Sequence, residues 1–468
     1  MRNDVLKFSF LALLNLIIFI GFFQAFQHPG IYKNTLGKIS KNYERTGSWD
    51  DYRIEKVSKP YLEISEENFE RWDADIYHCI KEHMYSAEDG CYHKVRGAFF
   101  PLFPLLWKAT NTGYIGISLL NYFLFSMSIG LLVLYLGNSG PFDKTILFAL
   151  LLSLPSTVIY YIPYSESLFL FSMTLASIGL VNKKYGLYFA GSVLLVMVRP
   201  ATLFIFIAIL LVESLFYYKS GDFKKYLKEL SHKTIPFLIG FFLVIIIQYA
   251  YSSSWTTFLD AGKFWEGGFL QSIKSISDWS EEGFALSSFS LFFVCIPAFI
   301  FTIFTIFKRK IIMLYLGSGR NENTDRSIFI FFVSTFYLAG IFLFTLLTSG
   351  GNLHSFFRFT LASPPFCIAT IFIFNNFTGK SYSKALIATF ISIFLLILFL
   401  HFTTFGGSRF GFSFWGMYLF IFNYLYFIFR GKFNKKLQVL FLISLILMNL
   451  VWNTYMLNIF FSNGWIFT

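Results

Sequence analysis

The chain has 468 residues, of which 56% are hydrophobic and only 14% charged, and its mean hydropathy is +0.60. Soluble domains run nearer ~25% charged and could not hide so much apolar surface, so a soluble globular fold is excluded. The formal net charge of +12 does not point to nucleic acid, because no basic patch occurs within a soluble domain; excess Lys and Arg in cytoplasmic loops of a membrane protein accounts for it.

Apolar runs near the ~20 residues that a bilayer span requires predict an all-α polytopic helical bundle with about 13 spans, range 11–14. In chain order they are residues 8–26, 113–137, 144–161, 164–181, 185–199, 201–218, 234–251, 287–307, 327–348, 356–376, 384–402, 412–429 and 437–460. The first run is longer than a signal-peptide core and no small-residue cleavage site follows it, so it is expected to be a retained span. Residues 98–109 (AFFPLFPLLWKA) are apolar but short, and carry two prolines, which predicts an interfacial or re-entrant helix rather than a span. No internal repeat, linker or low-complexity stretch divides the chain. It is expected to be a single membrane domain over 1–468, with a large first outside loop at 27–112 and a smaller one at 252–286.

Charge sets the orientation. With the N-terminus inside, inner segments hold 21 Lys and Arg, against five (Arg199, Lys263, Lys274, Arg358, Arg409) in the later outer segments. The other 12 lie in 27–112, a loop too long for the positive-inside rule to apply. Reading 98–109 as a span would invert every later loop and put the Lys-rich ones outside.

The polar residues that can carry chemistry all fall on the outer side of this topology. In Arg71-Trp72-Asp73-Ala74-Asp75-Ile76-Tyr77, two carboxylates flank an alanine beside aromatics. On a helix they diverge; on an extended segment they share a face. A carboxylate at an apolar boundary suits a general base that faces a hydroxyl, and an Asp-x-Asp pair can also hold a divalent cation. The bland reading is a solvated loop in which Asp73 caps a short helix and pairs with Arg71. Phe99-Phe100-Pro101-Leu102-Phe103-Pro104 reads as an interfacial anchor or as a wall that orients a lipid-linked substrate. Glu166, in Pro163-Tyr164-Ser165-Glu166-Ser167, either caps the helix that follows or belongs to a site. Arg199 and Arg358 lie at outer span ends, where an arginine either snorkels to headgroups or binds an anion. His354 precedes Arg358 by four positions and shares its face on a helix. Of four cysteines, Cys295 and Cys367 fall in spans, whereas Cys79 and Cys91 fall in the first outer loop, where an oxidising compartment permits a disulfide. No zinc spacing, Walker loop or dinucleotide fingerprint is present.

Arg71-Trp72-Asp73-Ala74, followed by Ala98-Phe99-Phe100-Pro101-Leu102-Phe103-Pro104, resembles the PIG-V family of membrane mannosyltransferases. Pro163-Tyr164-Ser165-Glu166-Ser167-Leu168-Phe169 looks like a third motif in order, and Arg358 with Pro364-Pro365 like the C-terminal one; together the matches span roughly 71–370. The resemblance implies a GT-C glycosyltransferase that takes a sugar, typically mannose, from a polyprenyl-phosphate donor on the non-cytoplasmic face and passes it to a glycolipid or glycan acceptor. By motif position Asp73 would be the general base. Arg358, with His354 or Arg199, would bind the donor phosphate, and Asp75, Glu166, Trp72 and Tyr164 would position sugar or acceptor. Family members often have polar residues and Gly after the arginine matching Arg199; here Pro200-Ala201-Thr202 follow, which bears on acceptor identity. The rival readings are a polysaccharide polymerase or ligase, which would use a lipid-diphosphate donor, and a lipid-linked glycan transporter, which would carry mid-span charges and repeats. The high Phe and Lys content fits a bacterial inner membrane, with the eukaryotic endoplasmic reticulum as the alternative.

Overall fold

The computed structural model describes residues 2–32, 43–46, 53–56, 62–86, 95–137, 140–220, 222–265, 281–316, 322–349, 352–353, 355–376, 391, 394–395 and 414–462. Apart from a short antiparallel ribbon, Tyr43–Thr46 with Arg53–Lys56, their regular structure is helical. Among the described residues, six helices are long and apolar enough to cross a bilayer: Asn3–Gln27, Tyr114–Leu136, Phe223–Ser252, Gly283–Ile312, Asp325–Thr348 and Lys435–Phe461. Shorter apolar helices occupy Glu166–Val181, Tyr185–Val198, Thr202–Leu215 and Trp415–Phe429. Phe10, Phe307 and Leu440 stand 64%, 79% and 61% exposed on these helices, which is costly in water and costs nothing in hydrocarbon. The chain is a multi-pass integral membrane protein. One continuous apolar cluster runs from Phe8 to Phe461.

Several expected spans differ in form from the uniform rods that apolar runs suggest. The 356–376 span is two pieces: a one-turn helix, Phe356–Phe359, and a second helix, Pro364–Asn376. Pro364 supplies no N–H and fits the first turn of a helix but not its interior. The 144–161 span likewise stops at Ser153, before Pro155, and continues as a single turn at Thr157–Tyr160. The 287–307 region contains a π-helical stretch at Ser290–Cys295. The Phe223–Ser252 helix begins eleven residues ahead of the expected 234, because Asp222 caps it by accepting from Lys225 N at 3.1 Å. The expected 384–402 span lies almost wholly outside the described residues. Residues 98–109 form a 3₁₀ turn, Arg96–Ala98, and a nine-residue helix, Leu102–Thr110, about 14 Å long and too short to span.

Backbone that leaves the helical ladder inside a bilayer must find other partners, and here it does. Asn453 Nδ2 donates to the carbonyls of Ser153 and Leu154 at 3.3 and 3.1 Å, while its Oδ1 accepts from Val158 N at 3.1 Å. Trp452 Nε1 donates to Pro155 O, and Asn121 Nδ2 to Ile162 O and Tyr164 O at 2.6 and 2.8 Å. The second break is held by Tyr160 Oη on Ala362 O (2.7 Å), Tyr337 Oη on Phe359 O (3.0 Å) and a Ser290–Thr360 hydroxyl pair. Both breaks are therefore fixed by side chains of other helices, and both flank the polar centre described below.

The Glu166–Val181 and Tyr185–Val198 helices form an antiparallel hairpin whose approach depends on two glycines. A Cβ on Gly191 would stand 2.5 Å from Ala176 N, and one on Gly179 2.3 Å from Tyr188 N. These are backbone atoms that cannot turn aside, so small residues set the spacing. Gly191→Val is expected to splay the hairpin and lower stability by ~1–3 kcal/mol, the scale of overpacking. Gly186→Ala, where nothing lies within 4 Å, should be neutral. Thermal unfolding of both purified variants checks this pair of expectations.

Among the contacts that moor the first loop to the bundle are those of Glu66 and Gln27. Glu66 accepts from Tyr114 N and Ile115 N at the start of the Tyr114–Leu136 helix, where a carboxylate meets unsatisfied N–H groups and the positive end of the dipole. Gln27 donates to Asn458 Oδ1 at 2.7 Å and accepts from Leu62 N at 3.0 Å, joining the first helix, the loop and the last helix.

Candidate active site

Three helix ends and one short turn aim charged side chains at a common point. Asp73 opens the Asp73–His83 helix. The residue before it, Trp72, has φ 56°, a left-handed conformation that a bulky side chain rarely adopts, and it is buried. Glu166 opens the Glu166–Val181 helix. Arg199 closes the neighbouring Tyr185–Val198 helix in extended conformation, φ −152° and ψ 142°. Pro200 forces that geometry, since the residue before a proline is pushed out of the α region. Antiparallel packing puts Glu166 and Arg199 at the same end of the hairpin. Arg358 comes from the one-turn Phe356–Phe359 helix, which follows Ser355 at φ 57°.

The four side chains form one network. Arg358 Nη1 donates to Asp73 Oδ2 at 2.7 Å. The other edge of the same guanidinium meets Glu166 Oε1, from Nε at 3.0 Å and Nη2 at 2.9 Å. Arg199 Nη1 reaches the same Oε1 at 2.7 Å. One carboxylate oxygen thus takes three nitrogens from two arginines, while Glu166 Oε2 is buried and has no hydrogen-bond partner among the described residues. Two anions and two cations balance, which is the condition for burying them together. Aromatic faces complete the setting: the Arg358 Cζ lies 4.9 Å from the Tyr164 ring centre, and the Arg199 Cζ 5.2 Å from that of Phe359. Side-chain exposure is graded, with Glu166 at 0%, Arg358 at 7%, Arg199 at 9% and Asp73 at 13%. Glu166 is the floor of the network and Asp73 its lip.

The Asp73 helix is held over the network by Tyr77, one turn on and on the same face. Tyr77 Oη donates to Ser165 Oγ at 2.7 Å. Burial raises the proton affinity of this phenol, against the opposing pull of Arg199, so it stays a neutral donor. Phe99 and Phe103 pack edge-on against its ring at 5.1 and 4.9 Å. The Phe-Phe-Pro segment therefore backs the helix that carries Asp73, in addition to any contact it makes with lipid. Cys79 on the same helix is disulfide-bonded, and Cys295 and Cys367 are free and buried; Cys91, its expected partner, lies outside the described residues. The neighbouring His78 is half-buried, and desolvation lowers its affinity for a proton, with Lys81 adding to the effect.

Of the residues singled out from sequence, Asp73, Glu166, Arg199 and Arg358 meet in the network and Tyr164 lies under it. Trp72 is buried at the turn that aims Asp73. Glu166 contacts the two arginines, and its burial keeps it from touching a sugar in this arrangement. Arg71 donates to Glu70 O and Asn68 Oδ1, while Asp73 takes Arg358 in place of the Arg71 pairing that local reading offered. Asp75 is partly buried in the first turn of the same helix. The helix rules out the extended form in which the two aspartates share a face, and among the described residues no three His, Cys, Asp or Glu side chains are grouped to hold a metal ion. His354 lies outside the described residues. The Tyr77–Ser165 tether escaped sequence reasoning; the only signal for it was the four-residue spacing of Tyr77 from Asp73. No family model, curated protein or solved structure matches the chain.

Proposed function

We propose that this protein is a polyprenyl-phosphate-sugar-dependent glycosyltransferase of GT-C type, inverting, with its site on the extracytoplasmic or lumenal face. The observation that carries the reading is the meeting of Asp73 with Arg358, 285 positions apart, together with Glu166 and Arg199 at one end of a helical bundle. A carboxylate beside two fixed guanidiniums is what transfer from a lipid phosphate requires. Arginine matches phosphate oxygens in a planar fork, and a carboxylate within reach serves as base. The motif resemblance to the PIG-V family supports mannose as the sugar, and the excess of Lys and Arg in the opposite loops supports an outer position for this end of the bundle.

In this mechanism the acceptor hydroxyl gives its proton to Asp73 as its oxygen attacks the anomeric carbon. The bond from that carbon to the phosphate oxygen breaks, and its electron pair stays on the departing lipid phosphate. Arg358 and Arg199 balance the charge that develops there. Phosphate is a good leaving group, so no general acid is needed. Glu166 holds both arginines in register and Tyr164 supports Arg358 from below; Asp75, which diverges from Asp73 on the helix, and the buried Trp72 have no part in the step.

The test is transfer of labelled sugar from polyprenyl-phosphate mannose to a membrane glycolipid by the purified protein in lipid nanodiscs. Labelled glycolipid is the expected product. Absence of transfer from a panel of polyprenyl-monophosphate sugars, with transfer from a lipid-diphosphate oligosaccharide, would replace this reading with a polymerase or ligase.

A further inference from the structure

Arg358 presents its guanidinium to two carboxylates in different directions. The Nε and Nη2 edge is anchored on Glu166 Oε1, which Arg199 also grips, at a floor with no side-chain exposure. The Nη1 end points the other way, to Oδ2 of Asp73, the least buried of the four side chains at 13% exposure. An anion entering from the lip meets the Arg358–Asp73 contact first and cannot reach the Glu166 contacts without dismantling the floor. An arriving phosphate and Asp73 therefore meet at the same Nη1 end of the guanidinium.

We infer that Asp73 and the donor phosphate compete for the Nη1 end of Arg358, so that donor binding hands the arginine to the phosphate and frees Asp73 to face the acceptor. The inference rests on the transferase reading and adds an order of events to it. Before the donor arrives, the base is masked by the guanidinium, and neither water nor acceptor is activated. Once phosphate takes Nη1, the remaining cluster of Glu166 with Arg199 and Arg358 carries one net positive charge, which the phosphate neutralises. Arg358 need not travel, because its other edge stays on Glu166. Arg358 is a positioning residue for the base as well as a ligand for the leaving group.

The distinguishing measurement is binding of undecaprenyl monophosphate, without sugar, to the full chain in nanodiscs. In the native protein only the fraction of molecules with Arg358 off Asp73 is ready to bind, and apparent affinity is reduced by that fraction. Asp73→Asn should thus bind the lipid phosphate tighter, by ~10-fold if nine molecules in ten hold the pair closed. Asp75→Asn removes a carboxylate two residues away and should give no comparable gain. In an Arg358→Gln background, the gain from Asp73→Asn should vanish. An unchanged or weaker affinity in Asp73→Asn overturns the competition and leaves the transferase reading standing. So does an equal gain from Asp75→Asn, which would mark general repulsion between carboxylate and phosphate. If Arg358→Gln fails to fold, the comparison of Asp73→Asn with Asp75→Asn decides alone. No binding of the lipid phosphate by native protein or by Asp73→Asn overturns the donor assignment and the competition with it.

Discussion

Asp73→Asn is expected to fold and to insert as the native chain does, and to lose at least ~100-fold in turnover, the scale on which removal of a general base is felt. The expectation of a folded protein needs an argument, since breaking a buried ion pair by deleting one partner costs ~3–5 kcal/mol when a charge is left alone. Here it is not left alone. Arg358 keeps Glu166 at 2.9 and 3.0 Å. The measurement is single-turnover transfer at saturating donor, with size-exclusion and thermal unfolding as the check on folding. Near-native turnover would remove Asp73 from the role of base. Taken with the competition for Arg358, the variant should bind lipid phosphate better while reacting far more slowly, a split that a merely structural role would not produce.

Glu166→Ala should have the opposite balance, with the larger effect on stability. Removing this carboxylate strips three charge-assisted contacts from two buried guanidiniums at once, and Asp73 can compensate only Arg358. A loss of ~3–5 kcal/mol is expected, seen as a fall in unfolding temperature or in the yield of folded protein. Glu166→Gln keeps the shape and an oxygen acceptor but removes the charge. It should be the milder change in stability and still lower turnover, because two like charges then face each other across a neutral floor. An unfolding temperature for Glu166→Ala equal to that of the native protein would show that the network is not what joins the hairpin to the Phe356–Phe359 turn.

Much of this was legible in local sequence. The apolar runs that became the long helices, the rejection of residues 98–109 as a span, and the motif residues Asp73, Glu166, Arg199 and Arg358 all came from composition, proline placement and loop charge. Each of these signals acts over a few residues: a run of apolar side chains chooses lipid, and a proline removes an N–H at one position. Where such signals ran out, alternatives stayed open. Glu166 read equally as a helix cap or a site residue, Arg199 as a snorkel or an anion ligand, and Asp73 as the partner of Arg71.

Those alternatives were decided by packing. Glu166 begins its helix, yet its carboxylate is spent on arginines from two other segments; Arg199 does not reach for headgroups because Pro200 turns it toward Glu166. The breaks at 154–164 and 360–363, which the apolar runs read straight through, are held in place by Asn453, Asn121, Tyr160 and Tyr337, which arrive from elsewhere to satisfy the freed backbone. The chain alone determined that it enters a bilayer and which polar residues it carries. Tertiary structure alone decided that residues 73 and 358 touch. Ion pairs and hydrogen bonds act only at contact distance, so nothing in the spacing of residues along the chain can specify which charges will share a dry site until the helices that carry them have packed.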